Sequence, residues 1–238
     1  MKKEYNIMDV YPNSQLIEVV CEIRFFTNLS VECQRDKYYE EIKNKYPLII
    51  VPNNQQLQDI SLNIYRFENG EKSKGIGISA DRFFYYEKEY EGHIKFIKEF
   101  IKISKIFCNL YNIKNIKKLG WRYINIIPFV RENDFIPLER FLNIGIKLPN
   151  TMNENYSNVN IGFVTKIDNN TISTRVESLI DTIKKQEALL LDLDFNMTKK
   201  LDYSKINEYL ENAHLKTREL FEQIITNDYR NYLKGDKI

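Results

Sequence analysis

Nucleophilic hydrolysis needs a nucleophile held beside a base. This chain offers only two histidines, His93 and His214, and three scattered cysteines, Cys21, Cys33 and Cys108. No G-x-S-x-G elbow and no P-loop occur, and Gly75-Ile76-Gly77 lacks the third glycine and following helix of a dinucleotide fingerprint. Cys21 falls on the apolar side of its segment and reads as a small buried hydrophobe. His214 lies within a turn of an apolar helical stripe and reads as a core or boundary histidine. The remaining chemistry-bearing pattern is Asp192-Leu193-Asp194, extended by Asn196. Its two carboxylates share one side of a strand and could take Mg²⁺ if Glu18 or Glu22 lay alongside. Alternating acids are also the ordinary wet side of a half-buried strand, and that reading is favoured. No cofactor is implied.

Charge gives a second candidate. The chain carries 35 basic and 33 acidic residues, so global charge does not argue for nucleic acid. Between residues 92 and 118, however, seven lysines face Glu99 alone. Lys95, Lys98, Lys102 and Lys105 recur at helical spacing on one face. Tyr86 and Tyr90 stand just upstream, and tyrosines beside lysines can stack bases of a single strand or nucleotide. Lysines opposite an apolar stripe are also the default solvated face of a helix, and lysine makes no bidentate base contact.

A third candidate is the polar side of the strongest strands. Glu22 and Arg24 alternate on one segment, Arg122 with Asn125 nearby on another, and Arg175 with Glu177 on a third. If helices cover one sheet face, these residues would line the other and could receive a protein partner. Exposed cross-strand ion pairs would show the same pattern.

The elements that must position these residues follow from periodicity. Residues 16–26 alternate as a strand with Val19, Cys21, Ile23 and Phe25 on one side. A helix is predicted over 31–46, and strands over 59–68, 74–80 and 82–88. Gly92 opens a helix to about residue 111. A second strong strand covers 119–129, a short helix 137–144, and 148–157 reads as a loop. Strands over 158–168, 171–180 and 187–197 precede a last helix over 203–226. That helix carries Leu210, Ala213, Thr217, Leu220, Phe221 and Ile224 on one face, with Phe221 expected deepest. Residues 229–238 read as a dispensable polar tail.

The order is β-α-β-β-β-α, then the same again. The expected fold is α+β, antiparallel sheet with helices packed on one face, in two pseudo-repeated halves over 1–114 and 115–238 or one continuous domain. A length of 238 residues with 43% hydrophobic and 29% charged composition suits a real core. No apolar run reaches membrane-span length, the start is not leader-like, and the cysteines suit neither a disulfide framework nor zinc. These readings predict a cytoplasmic protein with no membrane association. The 32 Ile, 26 Asn and 25 Lys are what AT-rich codons produce, pointing to a low-GC bacterium.

The segments Leu16-Ile17-Glu18-Val19-Val20-Cys21-Glu22-Ile23-Arg24-Phe25 and Leu119-Gly120-Trp121-Arg122-Tyr123-Ile124-Asn125 resemble the opening and middle motifs of a sporadically distributed family of uncharacterised bacterial and archaeal proteins of about this length. The late helix, with His214, Phe221 and Ile225-Thr226, is similar to that family's close. The resemblance spans nearly the whole chain and implies no catalytic residues. It implies patchy inheritance, hence defence, toxin–antitoxin or other mobile-element genes. Together the readings predict a non-enzymatic protein-binding component, with homo-oligomerisation open. Nucleic-acid or nucleotide binding and a metal-dependent hydrolase are the alternatives.

Overall fold

The alternation of residues 16–24 becomes a central strand because every second side chain is apolar and finds a helix layer to bury against. A computed structural model describes residues 10–52, 63–145, 155–181, 183 and 185–236. The predicted loop over 148–157 and the first part of the predicted strand over 59–68 lie largely outside the described residues.

In chain order the described elements begin with β1 (Leu16–Arg24), α1 (Leu29–Cys33), α2 (Arg35–Ile42), β2 (Leu48–Ile50), β3 (Tyr65–Glu68), β4 (Lys74–Ser79), β5 (Arg82–Glu87) and α3 (His93–Leu110). Next come β6 (Asn115–Ile116), β7 (Lys118–Pro128), α4 (Leu138–Phe141), β8 (Asn160–Ile167), β9 (Asn170–Asp181) and β10 (Gln186–Met197). The chain closes with β11 (Leu201–Asp202), α5 (Ile206–Ile224) and α6 (Asn227–Lys234).

Nine of the described strands form one sheet in the order β2-β3-β4-β5-β1-β7-β10-β9-β8, every pair antiparallel. The two strongest sequence strands, β1 and β7, lie side by side at its centre. Outward from that seam the order is β1-β5-β4-β3 on one side and β7-β10-β9-β8 on the other. Each half therefore pairs its first strand with its last, but the first half carries an additional strand, β2, with no counterpart among the described strands of the second.

All the described helices cover the same face. Val19, Cys21 and Ile23 of β1, Leu119, Trp121 and Tyr123 of β7, and Phe195 of β10 point into this layer. Cys21 stands opposite Trp121, so a small side chain makes room for the largest one. Tyr38 of α2 is fully enclosed and meets Phe67, Phe83 and Phe107 edge-on at 5.2–6.3 Å. A second cluster gathers Leu189, Leu191 and Leu193 of β10 beneath Phe141, Phe221, Tyr229 and Leu233.

Several boundaries differ from expectation for local reasons. The helix predicted over 31–46 is two helices, the first capped by the Asn28 side chain accepting from the Ser30 N–H. Phe221 is not the deepest residue of α5: it keeps 7% exposure, whereas Leu210, Ala213 and Thr217 have none. The tail from Tyr229 is not a free polar chain. It lies mostly in α6, whose Tyr229 and Leu233 are almost wholly buried. The helix starts on the Thr226 hydroxyl, which accepts from the Tyr229 N–H, and stops at Gly235, where φ of +110° suits a residue without Cβ.

Candidate partner-binding face

The strand period and the pairing registers fix which side chains share the uncovered face. β1 presents Glu18, Val20, Glu22 and Arg24; β7 presents Lys118, Gly120, Arg122, Ile124 and Ile126. β10 adds Leu190, Asp192, Asp194 and Asn196, and β9 adds Ser173, Arg175 and Glu177. The sequence candidates Glu22, Arg24, Arg122 and Arg175 are therefore brought together on one face.

Asn125 is not among them. It sits on the helix-covered side with Trp121 and Tyr123, is buried, and donates through Nδ2 to the Leu191 carbonyl at 3.3 Å. Odd and even positions of a strand face opposite ways, so Asn125 could not have shared a face with Arg122.

The charges on the open face are zipped into pairs. Arg122 forks onto Asp192, with Nε to Oδ1 at 2.7 Å and NH2 to Oδ2 at 2.6 Å. Arg24 Nε donates to Glu22 at 2.6 Å, and Arg82 approaches the other oxygen of Glu22 at 3.8 Å. Arg175 pairs with Glu177. Among these charges lies an apolar centre that the sequence reading did not single out. Ile126 faces Leu190 directly, Ile124 is the next outward residue of β7, and all three are half-buried. The signal for Ile124 and Ile126 was present, since both share a parity with Arg122. Leu190 needed the β7–β10 register.

The metal reading of Asp192 and Asp194 loses its first ligand to Arg122. Among the described residues, no three His, Cys, Asp or Glu side chains gather as a metal site would require. Asp194 stands directly across from Arg122, yet its guanidinium goes to Asp192. Burial is the main reason the Asp194 carboxyl titrates above its usual 3.8, against the opposing pull of Asn196, Lys118 and Arg122. Glu18 is shifted in the same direction, again chiefly by burial.

These shifts have a definite sign in stability. A carboxyl raised in the folded state binds more protons there than in the unfolded chain, so its contribution falls as pH rises between 3.8 and the folded value. Asp194→Asn is therefore expected to unfold at an equal or higher temperature than wild type at pH 7. That advantage should shrink as pH falls toward 3.8. Thermal melts across that range test it; a loss of more than about 1 kcal/mol at pH 7 would show that the carboxylate is a net stabiliser.

The nucleic-acid candidates do not form one surface. Lys95, Lys98, Lys102 and Lys105 are exposed on α3, which lies on the covered side, and Lys95 is paired with Glu91 at 2.7 Å. Tyr86 is on the opposite face of the sheet, laid across Gly75 with its hydroxyl donating to Glu68. A Cβ at Gly75 would stand 2.5 Å from the Tyr86 hydroxyl oxygen, so the bare glycine is what lets the ring lie flat. Tyr90 is under the helix layer, its hydroxyl 3.3 Å from that of Tyr123.

Both histidines of the chain also lie in that layer. His93 and His214 stack with centroids 4.2 Å apart and planes within 7°. His214 Nδ1 is 2.7 Å from the Tyr123 hydroxyl, and His93 Nε2 is 3.8 Å from Glu211. This chain of rings joins α3, β7 and α5. His214 is buried with these partners, as a core histidine would be. Sequence spacing held no signal for it, because residues 93 and 214 meet only through the tertiary fold.

No family model matches the chain, and no curated protein is significantly similar to it.

Proposed function

We propose that the chain is a non-catalytic, cytoplasmic component that binds a partner protein through the open face of its sheet. The carrying observation is the apolar centre of Ile124, Ile126 and Leu190, set among the paired charges of Arg122, Asp192, Arg175 and Glu177. An apolar centre inside a polar rim is the usual anatomy of a protein interface. The load of 16 Tyr and 14 Phe fits such a role, although most of the rings named above serve the core. The resemblance to a sporadically inherited family supports a setting in bacterial defence, toxin–antitoxin or mobile-element systems.

The face can be altered without unfolding the chain. Arg24→Ala should cost no more than about 1 kcal/mol, because its ion pair with Glu22 is half exposed. Arg122→Ala should cost roughly 1–3 kcal/mol, because it strands the nearly covered Asp192 carboxylate. Ile126→Lys, at a position that faces Leu190 and not Asp192, leaves that pair in place and is the cleaner probe. Tagged wild-type protein, expressed with its native neighbouring genes, is expected to retain a stoichiometric protein that Ile126→Lys releases. The control Lys98→Glu, on the exposed side of α3, should retain it. Equal retention by both variants, or no retained protein with wild type, overturns the proposal.

A further inference from the structure

The two ends of the nine-stranded sheet are built differently. At one end β2 has three residues and lies between Pro47 and Pro52. Short strands and prolines are how a protein keeps a sheet edge from pairing with another chain. At the other end β8 runs for eight residues, Asn-Ile-Gly-Phe-Val-Thr-Lys-Ile, with Lys166 as its single charge and no proline. Its inner side is paired with β9; among the described residues nothing pairs with its outer side. Phe163 keeps 39% exposure on the helix-bearing face and Val164 keeps 66% on the open one, so neither face is roofed at this edge.

The hydrogen-bond phase of that edge is fixed. The Ser178 N–H donates to the Val159 carbonyl at 2.8 Å, in register with the Asn160–Glu177 pair. Odd-numbered residues of β8 therefore direct their backbone groups to β9. Asn160, Gly162, Val164 and Lys166 direct theirs outward. Two copies of this strand can pair antiparallel only with these outward residues opposite one another. A single register uses all four in both copies: Asn160 opposite Lys166, Gly162 opposite Val164, and the two-fold axis through Phe163.

The side chains suit that register. Lys166 meets Asn160, so no like charges face each other. Val164 meets Gly162, where it has room. Ile161 meets Thr165 on the other face, and the two half-exposed Phe163 rings meet at the axis, converting exposed aromatic surface into contact. A two-fold axis normal to the sheet keeps both helix layers on the same side. We propose that β8 pairs with β8 of a second copy, joining two sheets into one. This pairing is independent of the open-face reading, because it uses the edge and not the face.

Sedimentation of the whole chain at micromolar concentration is expected to give twice the 28.5 kDa chain mass. Val164→Pro removes an outward N–H and should return the protein to monomer with an unchanged circular dichroism spectrum. A second, gentler variant keeps the proposal testable if proline disrupts the fold. In a Cys33→Ser background, which removes the exposed native thiol, Phe163→Cys should form an intermolecular disulfide under mild oxidation. At the two-fold axis its Cα would face its own copy at about 4.5 Å, within disulfide range. Thr165→Cys, displaced by four positions and roughly 13 Å from its copy, should not cross-link. A wild-type monomer, a dimer that survives Val164→Pro, or equal cross-linking at 163 and 165 would each overturn it.

Discussion

Removal of residues 227–238 is expected to leave a chain that no longer folds stably. The deletion takes away α6, and with it the buried Tyr229 and Leu233 from the cluster over Leu189, Leu191 and Leu193. Each such loss costs about 2–5 kcal/mol in a packed core, and the whole stability of a domain is only about 5–15 kcal/mol. The helix also anchors other parts of the layer. Tyr229 meets Phe141 of α4 with centroids 5.6 Å apart. The Leu233 carbonyl accepts from the Asn13 N–H at 3.1 Å, and the Tyr232 carbonyl from Asn13 Nδ2 at 2.8 Å. The segment leading into β1 would lose both of these bonds. A matched deletion of residues 236–238, beyond Gly235, should change the urea midpoint little. If the longer deletion unfolds at the same midpoint as wild type, α6 is an appendage and not part of the core.

That helix also shows where sequence reading stops. The large elements were legible because their periods are long: β1, β7 and β10 alternate over nine to twelve residues, and α3 and α5 repeat over 18 and 19. α6 has eight residues and two apolar anchors four apart, too few to stand out from a polar tail. Parity along a strand also placed Glu22, Arg24 and Arg122 correctly on the side away from the core. What parity cannot supply is register. The Ile126–Leu190 contact and the choice of Asp192 over Asp194 by Arg122 depend on how β7 and β10 slide past each other. The stacked histidines and the carboxylate at Glu222 depend on which helices meet. Composition could not anticipate them, since a glutamate on an amphipathic helix normally faces water.

Glu222→Ala is expected to cost roughly 3–5 kcal/mol, the loss typical of removing one partner from a buried charge network. Glu222 is 1% exposed on α5, and three groups converge on its carboxylate. The Tyr11 hydroxyl donates to it at 2.9 Å, Arg218 NH2 approaches at 3.0 Å, and Arg230 Nε of α6 at 2.9 Å. Burial, then the charge of Glu222, pushes the Tyr11 hydroxyl up to about 12, so that hydroxyl remains a donor at neutral pH. Truncation to alanine leaves Arg230, itself 6% exposed, in the same enclosure without its counter-charge. Glu222→Gln should lose less, because the amide oxygen still accepts. Replacing two members of the network together, Glu222→Leu with Arg230→Met, should recover only part of the loss: it removes the stranded Arg230 charge, but Arg218, whose side chain is 13% exposed, still loses its counter-charge. Urea unfolding of wild type, Glu222→Leu, Arg230→Met and the double variant forms the cycle, with Glu222→Ala and Glu222→Gln measured beside it. The outcome that sinks the argument is a Glu222→Ala loss under about 1 kcal/mol, since that is the value of an ion pair already shared with water.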